Sequence, residues 1–330
     1  MSEPTAAPLP LAELHCHLEG TITPVLAHKI GARYGVDLSS ILDENGDYRW
    51  STFADFIHVY DTMSGILRAP QDYYDVAYAY LTDNAADGLI YSEIFISPEH
   101  AVRFGVSYSA MVEAIAQAID EAEAKTGVVG RMILTCVRNF GVEHAEKTAR
   151  LAEDFPHARV TGFGIAGDEA LGSHADFARA FEIARNGAGL SITAHAGELL
   201  GADSVRTALD AFDPARIGHG VRAIEDPALV AELAERGVTL ELCPSSNVAI
   251  GLYGSLDEHP IARLTASGVA TTLSTDDPAF FFTTIAQEYA RIGEAHGLSE
   301  ADLLGFTRRS IDAAFCDPET KERLYGRLQG

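Results

Sequence analysis

Basic residues are scarce in this sequence: 24 Lys and Arg stand against 48 Asp and Glu, which leaves a formal net charge of −24 over 330 residues. Nucleic-acid grooves and anionic membrane surfaces both need clustered cations, so the charge balance disfavours either as a partner. No apolar run reaches the roughly 18 residues of a membrane span, and the first eleven residues lack the basic and apolar parts of a secretory leader. We therefore expect a cytoplasmic protein with neither a membrane nor a nucleic-acid partner.

Cysteines are few and widely separated. The four of them form no C-x-x-C pair, which excludes a zinc ribbon and a thioredoxin-type redox site: Cys16, Cys136, Cys243 and Cys316. Linkers rich in Pro or Ser are missing too, and so are tandem repeats of about 20 to 50 residues. Apolar residues make up 47 % of the chain, which is enough for a large core. We predict buried, reduced thiols and a single domain over residues 1–330.

What the chain does contain is a recurring pair of a short β-rich run and an amphipathic, alanine-rich stretch. The β-rich runs number eight, and they cover Leu11 to Cys16, Leu89 to Ile96, Arg131 to Val137, Val160 to Ile165, Leu190 to Ala194, Arg216 to Gly218, Val238 to Leu242 and Val269 to Leu273. Helical patterns lie between them, as over Met111 to Lys125, His174 to Asn186 and Pro227 to Gly237. The alternation predicts an α/β fold with parallel strands, and eight units close a (β/α)8 TIM barrel; an open doubly wound sheet is the alternative.

A long segment separates the first two predicted strands. Residues 20–88 hold more than one helical pattern, including Phe53 to Leu67. An insertion at this place in a barrel lies at the carboxyl ends of the strands, where active sites of this fold are built. We expect a helical lid, to which Phe56, Ile57 and Tyr60 contribute apolar cover, although an aromatic stripe at helical spacing is also typical of plain core.

Histidines near the ends of predicted strands are the most informative feature. His15 and His17 are two residues apart, which places both imidazoles on one face of a strand and Cys16 on the other. His195 and His219 follow strands five and six, and Asp276 with Asp277 follows strand eight. Because strand ends meet on one face of a barrel, these side chains can form a nitrogen-rich Zn²⁺ site with an open position for water.

Each of these residues also has an ordinary interpretation. An isolated H-x-H pair is more often a pair of structural histidines than a metal site. Glu198 can cap a helix start or act as a general acid/base, and His219 can be a core histidine or part of the site. Asp276 and Asp277 can lie in a solvated loop, but Pro278 breaks the strand there, so both carboxylates can reach one pocket. The spacing leaves open which of the two binds a metal.

Six segments together resemble the adenosine deaminase family of metal-dependent purine deaminases. In chain order they are AELHCHLEGTITP (12–24), GFGIAGDE (162–169), TAHAGE (193–198), RIGHGV (216–221), CPSSN (243–247) and STDDP (274–278). The resemblance spans the chain from residue 12 to roughly residue 315. It implies one Zn²⁺ per chain, a small-molecule purine substrate, and a metal-ligand set of four residues: His15, His17, His195 and Asp276.

The resemblance also implies roles for the remaining site residues. Glu198 would protonate N1 of the purine, His219 would activate water at the metal and stabilise developing charge, and Asp277 would orient the attacking group. Gly167 would let the backbone approach the purine, which only a residue without Cβ allows. The substrate would thus contact His17, Glu19, Gly167 and Asp277. Each role needs a group held on a rigid strand end.

The substrate expected from these motifs is adenosine or 2′-deoxyadenosine, which would be hydrolysed to inosine or deoxyinosine and ammonia. GIAGDE and RIGHG resemble the nucleoside enzymes of the family, whereas Glu19 in HLEG is shared with adenine deaminases. The alternative is therefore an adenine or modified-adenine deaminase. Two further alternatives are another amidohydrolase reaction at the same kind of site and a non-catalytic nucleoside-binding protein.

Overall fold

Eight parallel strands form a barrel in this computed structural model, which describes residues 8–328, the side chain of Ala54 excepted. They are β1 (Leu11–His17), β2 (Leu89–Ile96), β3 (Val129–Val137), β4 (Val160–Ala166), β5 (Ser191–Ala196), β6 (Arg216–His219), β7 (Thr239–Leu242) and β8 (Ala270–Leu273). Each strand pairs with the next along the chain. A bridge between Cys16 and Asp276 joins the last strand end to the first. The predicted (β/α)8 TIM barrel is confirmed, and the open sheet is excluded.

Helices lie between and after the strands of the described chain. They are α1 (Pro24–Tyr34), α2 (Phe53–Ser64), α3 (Pro70–Ala85), α4 (Pro98–Arg103), α5 (Tyr108–Thr126), α6 (Val142–Asp154), α7 (Ala178–Glu182), α8 (Ala202–Phe212), α9 (Pro227–Arg236), α10 (Pro244–Ala249), α11 (Ile261–Ala266), α12 (Ile285–His296), α13 (Glu300–Ala313) and α14 (Pro318–Gly326). None of the helices within residues 8–328 has the length and apolarity needed to cross a membrane.

One predicted helix is broken in the structure. The pattern over His174 to Asn186 resolves into a 3₁₀ turn (His174–Phe177), the short α7 and a π turn (Ile183–Gly187). His174 and Phe177 are both buried, and side chains three residues apart are eclipsed in a 3₁₀ turn. The turn therefore directs both side chains to the same buried side.

The insertion between β1 and β2 contains α1, α2 and α3, and α2 covers the cavity at the carboxyl ends of the strands. The indole Nε1 of Trp50 donates a hydrogen bond to the carbonyl of Phe280, 3.1 Å away, in the loop after β8. The ring of Phe56, on α2, packs against Phe281 with ring centroids 5.3 Å apart. These contacts with the loop after β8 hold the insertion across the barrel mouth. Extension of one domain over 1–330 stays a prediction, since residues 1–7 and 329–330 lie outside the described chain.

Candidate active site

Four side chains converge at the carboxyl ends of β1, β5 and β8 with the separations of a metal-ligand set. The Nε2 atoms of His17 and His195 lie 3.2 Å apart, and Asp276 Oδ1 lies 3.3 Å from His17 Nε2 and 3.4 Å from His15 Nε2. A tetrahedral zinc site with ligand distances of roughly 2.0 to 2.1 Å has ligand atoms about 3.3 Å apart. The residues predicted from the sequence therefore fit a first-row divalent metal.

The orientation of His15 also fits a metal ligand. Its Nδ1 is 2.7 Å from Glu241 Oε2, and the same carboxylate accepts hydrogen bonds from Arg216 Nε at 2.5 Å and Thr193 Oγ1 at 3.0 Å. Glu241 thereby holds the proton of His15 on Nδ1. Nε2 of His15 is buried and has no hydrogen-bond partner within residues 8–328. A metal needs a ring nitrogen that carries no proton, and Nε2 of His15 meets this requirement. Its other nitrogen, Nδ1, is bonded to Glu241, which is how ligand histidines are usually oriented.

The ring of His15 lies close to the backbone of β6, which is possible because residue 218 is a glycine. A Cβ added to Gly218 would lie 2.7 Å from Cε1 of His15, so any larger residue would displace the ring. Arg216, two residues earlier on the same strand, bridges Glu241 and Glu93 at 2.5 Å each and is fully buried. The barrel interior beneath the site is therefore a paired ionic network that fixes the orientation of His15.

Asp276 is held in a strained backbone conformation. Its φ is 64°, in the left-handed region that few non-glycine residues occupy. Ser246 Oγ donates to its Oδ2 at 2.8 Å, which leaves Oδ1 directed at the histidines. Burial by itself raises the pKa of this carboxyl, but the close approach of His15 and His17 outweighs it and holds the pKa well below its usual range. Asp276 is thus an anion, as a metal ligand has to be.

His219 ends β6 beside the same group of atoms. Ligand atoms of His15, His195, His219 and Asp276 all lie within 4.8 Å of one another, so His219 is a geometric alternative to His17 as a ligand. Its φ of 57° is again left-handed, and its Nε2 lies 3.7 Å from Glu198 Oε1. Burial lowers the pKa of His219 to about 4, so the ring is neutral near neutral pH.

Glu198 lies on a loop that a second carboxylate holds in place. Glu169 accepts hydrogen bonds from four consecutive backbone N–H groups, those of residues 197–200, at 2.5 to 3.2 Å, and from Ser204 Oγ at 2.5 Å. The side chain of Glu198 is 15 % exposed. Burial and the charge of Asp276 raise its pKa well above the usual range. The raised pKa favours the protonated form of Glu198, which can donate a proton to a bound substrate.

A cavity under the lid joins these groups. Its floor is formed in part by three members of the ligand set, His17, His195 and Asp276. Its roof includes Phe56, Ile57 and Tyr60, as expected from the sequence. Asp277 also lines it, with an Oδ1 that is buried and unpartnered within the described chain. Burial and the charge of Asp276 raise the pKa of Asp277.

Gly167 lies in the cavity wall with a φ of 93°. A side chain at this position would be strained by that φ and would collide with Asn139 Oδ1. Glycine is therefore required here by the backbone conformation and by Asn139, and the approach of this backbone to a purine stays a prediction.

Glu19 forms the opposite side of the cavity. Its side chain is buried, and Oε2 accepts a hydrogen bond from the Tyr60 hydroxyl at 3.3 Å. Oε1 has no hydrogen-bond partner between residues 8 and 328, and His100 Nδ1, which also lacks one there, is 3.8 Å away. A buried carboxylate oxygen without a donor is an open position for a substrate N–H or O–H.

Sequence reasoning missed several residues that position the site. Glu241 and Glu169 orient His15 and the Glu198 loop, and Ser246 with Asn247 contacts Asp276 and His219. Glu241 had a readable signal, since a carboxylate inside a buried parallel strand requires a partner. The other three lie inside the motifs GDE and CPSSN, where only a structure shows which atoms they contact.

The fold and the donor set together define a metal-dependent hydrolase built on a (β/α)8 barrel. The family model for adenosine deaminase matches residues 10–329. The chain therefore belongs to the adenosine deaminase family.

Similar proteins narrow the substrate class. Adenine deaminase of Mesorhizobium japonicum is 47 % identical over 319 residues, which are 97 % of this chain and 98 % of the relative. The structure of adenine deaminase from Arthrobacter aurescens has a TM-score of 0.90 at 29 % identity, covering 97 % of this chain and 98 % of the other. An amidohydrolase from Burkholderia ambifaria solved with bound zinc has a TM-score of 0.89 at 27 % identity, covering 99 % and 93 %.

These comparisons correct the expectation of an adenosine substrate. The Mesorhizobium and Arthrobacter proteins are adenine deaminases, which agrees with the alternative rather than with the main prediction. Within the two motifs that favoured a nucleoside, Glu169 holds a loop and Arg216 holds Glu241, so both of these residues have structural roles. Glu19 lines the cavity itself.

Proposed function

We propose that this protein hydrolyses adenine to hypoxanthine and ammonia. The observation that carries the proposal is the identity of 47 % to an adenine deaminase over 97 % of the chain. The cavity supports it chemically, because it combines a candidate metal site, a protonated carboxyl and an unpartnered buried carboxylate oxygen. We further expect the protein in the cytoplasm, with a purine base as its small-molecule partner.

His15, His17, His195 and Asp276 would hold one divalent metal, which we propose is Zn²⁺. When bound, the metal supplies a Lewis acid that lowers the pKa of water. Glu198 would protonate N1 of the adenine ring, which makes C6 electrophilic. Asp277, with its free Oδ1, would accept a hydrogen bond from the attacking group. Water adds to C6 and the amino group gains one of its protons, so that the C6–N bond breaks, ammonia leaves and the ring keeps the oxygen as its 6-oxo group.

The selection of a base over a nucleoside is explained by Glu19. Free adenine carries an N–H on its imidazole ring at the position where adenosine carries ribose. The unpartnered Oε1 of Glu19 provides an acceptor for such an N–H, and a charged acceptor makes a stronger hydrogen bond than a neutral one. In adenosine the ribose replaces this N–H, so Oε1 of Glu19 would not receive a hydrogen bond from the ring. Free adenine is therefore the better match for this site.

A nucleotide substrate is disfavoured by the charge of the cavity. Among the described lining residues there is no Lys or Arg, whereas Glu19, Glu198, Asp276 and Asp277 all line it. A phosphate group on the sugar would meet carboxylates without a basic side chain to bind it, and like charges in a low-dielectric site repel strongly.

The proposal is tested with a substrate panel on zinc-loaded protein. Adenine, adenosine, 2′-deoxyadenosine, N6-methyladenine and AMP are compared by kcat/KM, with ammonia and the 6-oxo product measured together. We expect adenine to exceed adenosine by at least 100-fold, and Glu198→Gln to lose activity on every substrate while it still folds. Preference for adenosine would refute the substrate, and purine binding without ammonia release would refute the reaction.

A further inference from the structure

A buried hydrogen-bond relay lies behind His219, on the side away from the cavity. The backbone N–H of Ile261 donates to His259 Nδ1 at 3.3 Å, His259 Nε2 is 3.2 Å from Asn247 Oδ1, and Asn247 Nδ2 is 3.4 Å from His219 Nδ1. The three side chains are 0 to 2 % exposed. Water therefore does not compete for these bonds.

The direction of the relay follows from its first member. A backbone N–H can only donate, so Nδ1 of His259 carries a lone pair and the proton of the neutral ring is on Nε2. That N–H donates to Asn247 Oδ1, which turns the amide NH₂ of Asn247 towards His219. Nδ1 of His219 accepts from it, so the proton of the neutral His219 ring is on Nε2. Burial lowers the pKa of His259 to about 3, which keeps this ring neutral.

We propose that Asn247 and His259 are positioning residues that hold His219 in its Nε2–H tautomer. His219 then faces the cavity as a hydrogen-bond donor, with no free lone pair on either ring nitrogen. This tautomer excludes His219 as a metal ligand through Nε2 and leaves His17 as the third histidine of the ligand set. It also excludes the role implied by the family resemblance, in which His219 activates water as a base.

The catalytic consequence rests on the proposed deaminase function. A donor N–H at this place stabilises negative charge that develops on the attacking oxygen, as oxyanion-hole donors do. The tautomer itself does not depend on the substrate. A failure of the proposed function and a failure of this inference are therefore distinguishable.

The deciding measurement is long-range ¹H–¹⁵N correlation NMR on the full chain labelled with ¹⁵N-histidine, with and without zinc. We expect His219 and His259 to carry protons on Nε2 and none on Nδ1, with the His219 signals assigned by their loss in His219→Gln. In Asn247→Asp an acceptor replaces the donor, so Nδ1 of His219 gains a proton. A wild-type His219 protonated on Nδ1 would overturn the proposal even if the variant did not fold.

Kinetics and metal content give independent readouts. Asn247→Asp should lower kcat for adenine by on the order of 100-fold with a smaller change in KM, since a histidine in the wrong tautomer costs a serine protease about 10⁴-fold. The exposed Asn186→Asp adds the same charge and should retain wild-type kcat. His259→Gln keeps a donor to Asn247 and should lose less than His259→Leu. His219→Gln should still bind one zinc, whereas a zinc-free His219→Gln would contradict the assignment of ligands.

Discussion

At the scale of single residues, Glu19 should determine the preference for a free base. Its Oε1 is the unpartnered acceptor in the cavity wall, and 9-methyladenine lacks the N–H that it would accept from N9. A hydrogen bond to a charged group contributes about 1.5 to 3 kcal/mol and one to a neutral group about 0.5 to 1.5 kcal/mol. Glu19→Gln should therefore reduce the ratio of kcat/KM between adenine and 9-methyladenine by about tenfold.

This ratio controls for general damage, because misfolding or loss of metal lowers both substrates equally. Tyr60→Phe provides a matched variant: it removes the hydroxyl that donates to Oε2 of Glu19 but leaves Oε1 in place, so its ratio should change less. A Glu19→Gln enzyme with the wild-type ratio would show that Glu19 does not contact the imidazole edge of the base.

The site residues differ in how far the sequence could predict them. The convergence of His15, His17 and His195 was predictable because strand ends meet on one face of a barrel. The choice of Asp276 over Asp277 did not follow from spacing and came from the family resemblance. The roles of Glu169 and Asn247 were not predictable, since Glu169 acts through hydrogen bonds from a loop backbone and Asn247 through a hydrogen bond to a histidine ring. Such contacts depend on side-chain direction within loops, which sequence spacing does not determine.

At the scale of structural elements, the Glu198 loop should depend on Glu169. This carboxylate accepts five hydrogen bonds from residues 197–200 and 204, and an amide in its place would direct an NH₂ group at backbone N–H groups. A displacement of about 1 Å of a catalytic group costs on the order of 100-fold in rate. Glu169→Gln should therefore lower kcat by 10- to 100-fold with a smaller effect on KM.

The measurement is steady-state kinetics together with thermal unfolding. Glu182→Gln is the matched control, because it makes the same substitution on an exposed side chain that only pairs with Arg179, and it should leave kcat unchanged. Wild-type kcat in Glu169→Gln would show that the loop holds Glu198 without this carboxylate.

Strands were more predictable than the helices around them. All eight strands lie within two residues of their predicted ends, because a strand buried on both faces appears as a short apolar run. His195 falls inside β5 (Ser191–Ala196) rather than after it, which still places its side chain at the barrel mouth. The segment after β4 could not be predicted, since its 3₁₀ and π turns result from packing against α8 rather than from its own pattern.

At the scale of the whole molecule, the charge of −24 has a local counterpart inside the barrel. Arg216 is fully buried between Glu93 and Glu241, and the cavity above it is lined by acidic groups. The acidic composition thus disfavours polyanionic partners twice, first through the surface field and then at the site. The sequence predicted the acidic groups at the site, whereas the position of Arg216 between Glu93 and Glu241 is seen only in the structure.

Acid should destabilise the fold through its buried histidines. His174 is 3 % exposed, and its Nε2 accepts a hydrogen bond from Arg138 Nη2 at 2.6 Å. Burial and the Arg138 charge lower its pKa to about 4, against the smaller opposing effects of the His195 carbonyl and Glu169. The unfolded chain, with a histidine pKa near 6.5, binds more protons between these values. Stability from this group is therefore complete above about pH 6.5 and decreases as the pH falls towards 4.

The slope is about 1.4 kcal/mol per pH unit for each such histidine, so wild type should lose roughly 2 kcal/mol through His174 between pH 6.5 and 5. His174→Gln keeps an acceptor for Arg138 but cannot be protonated, and its stability should fall less over the same interval. Denaturant unfolding of both proteins at pH 7, 6 and 5 in EDTA measures the difference, because metal loss then affects neither curve. Parallel pH dependences would mean that His174 is protonated in the folded state, which would require Arg138 to move away from its ring.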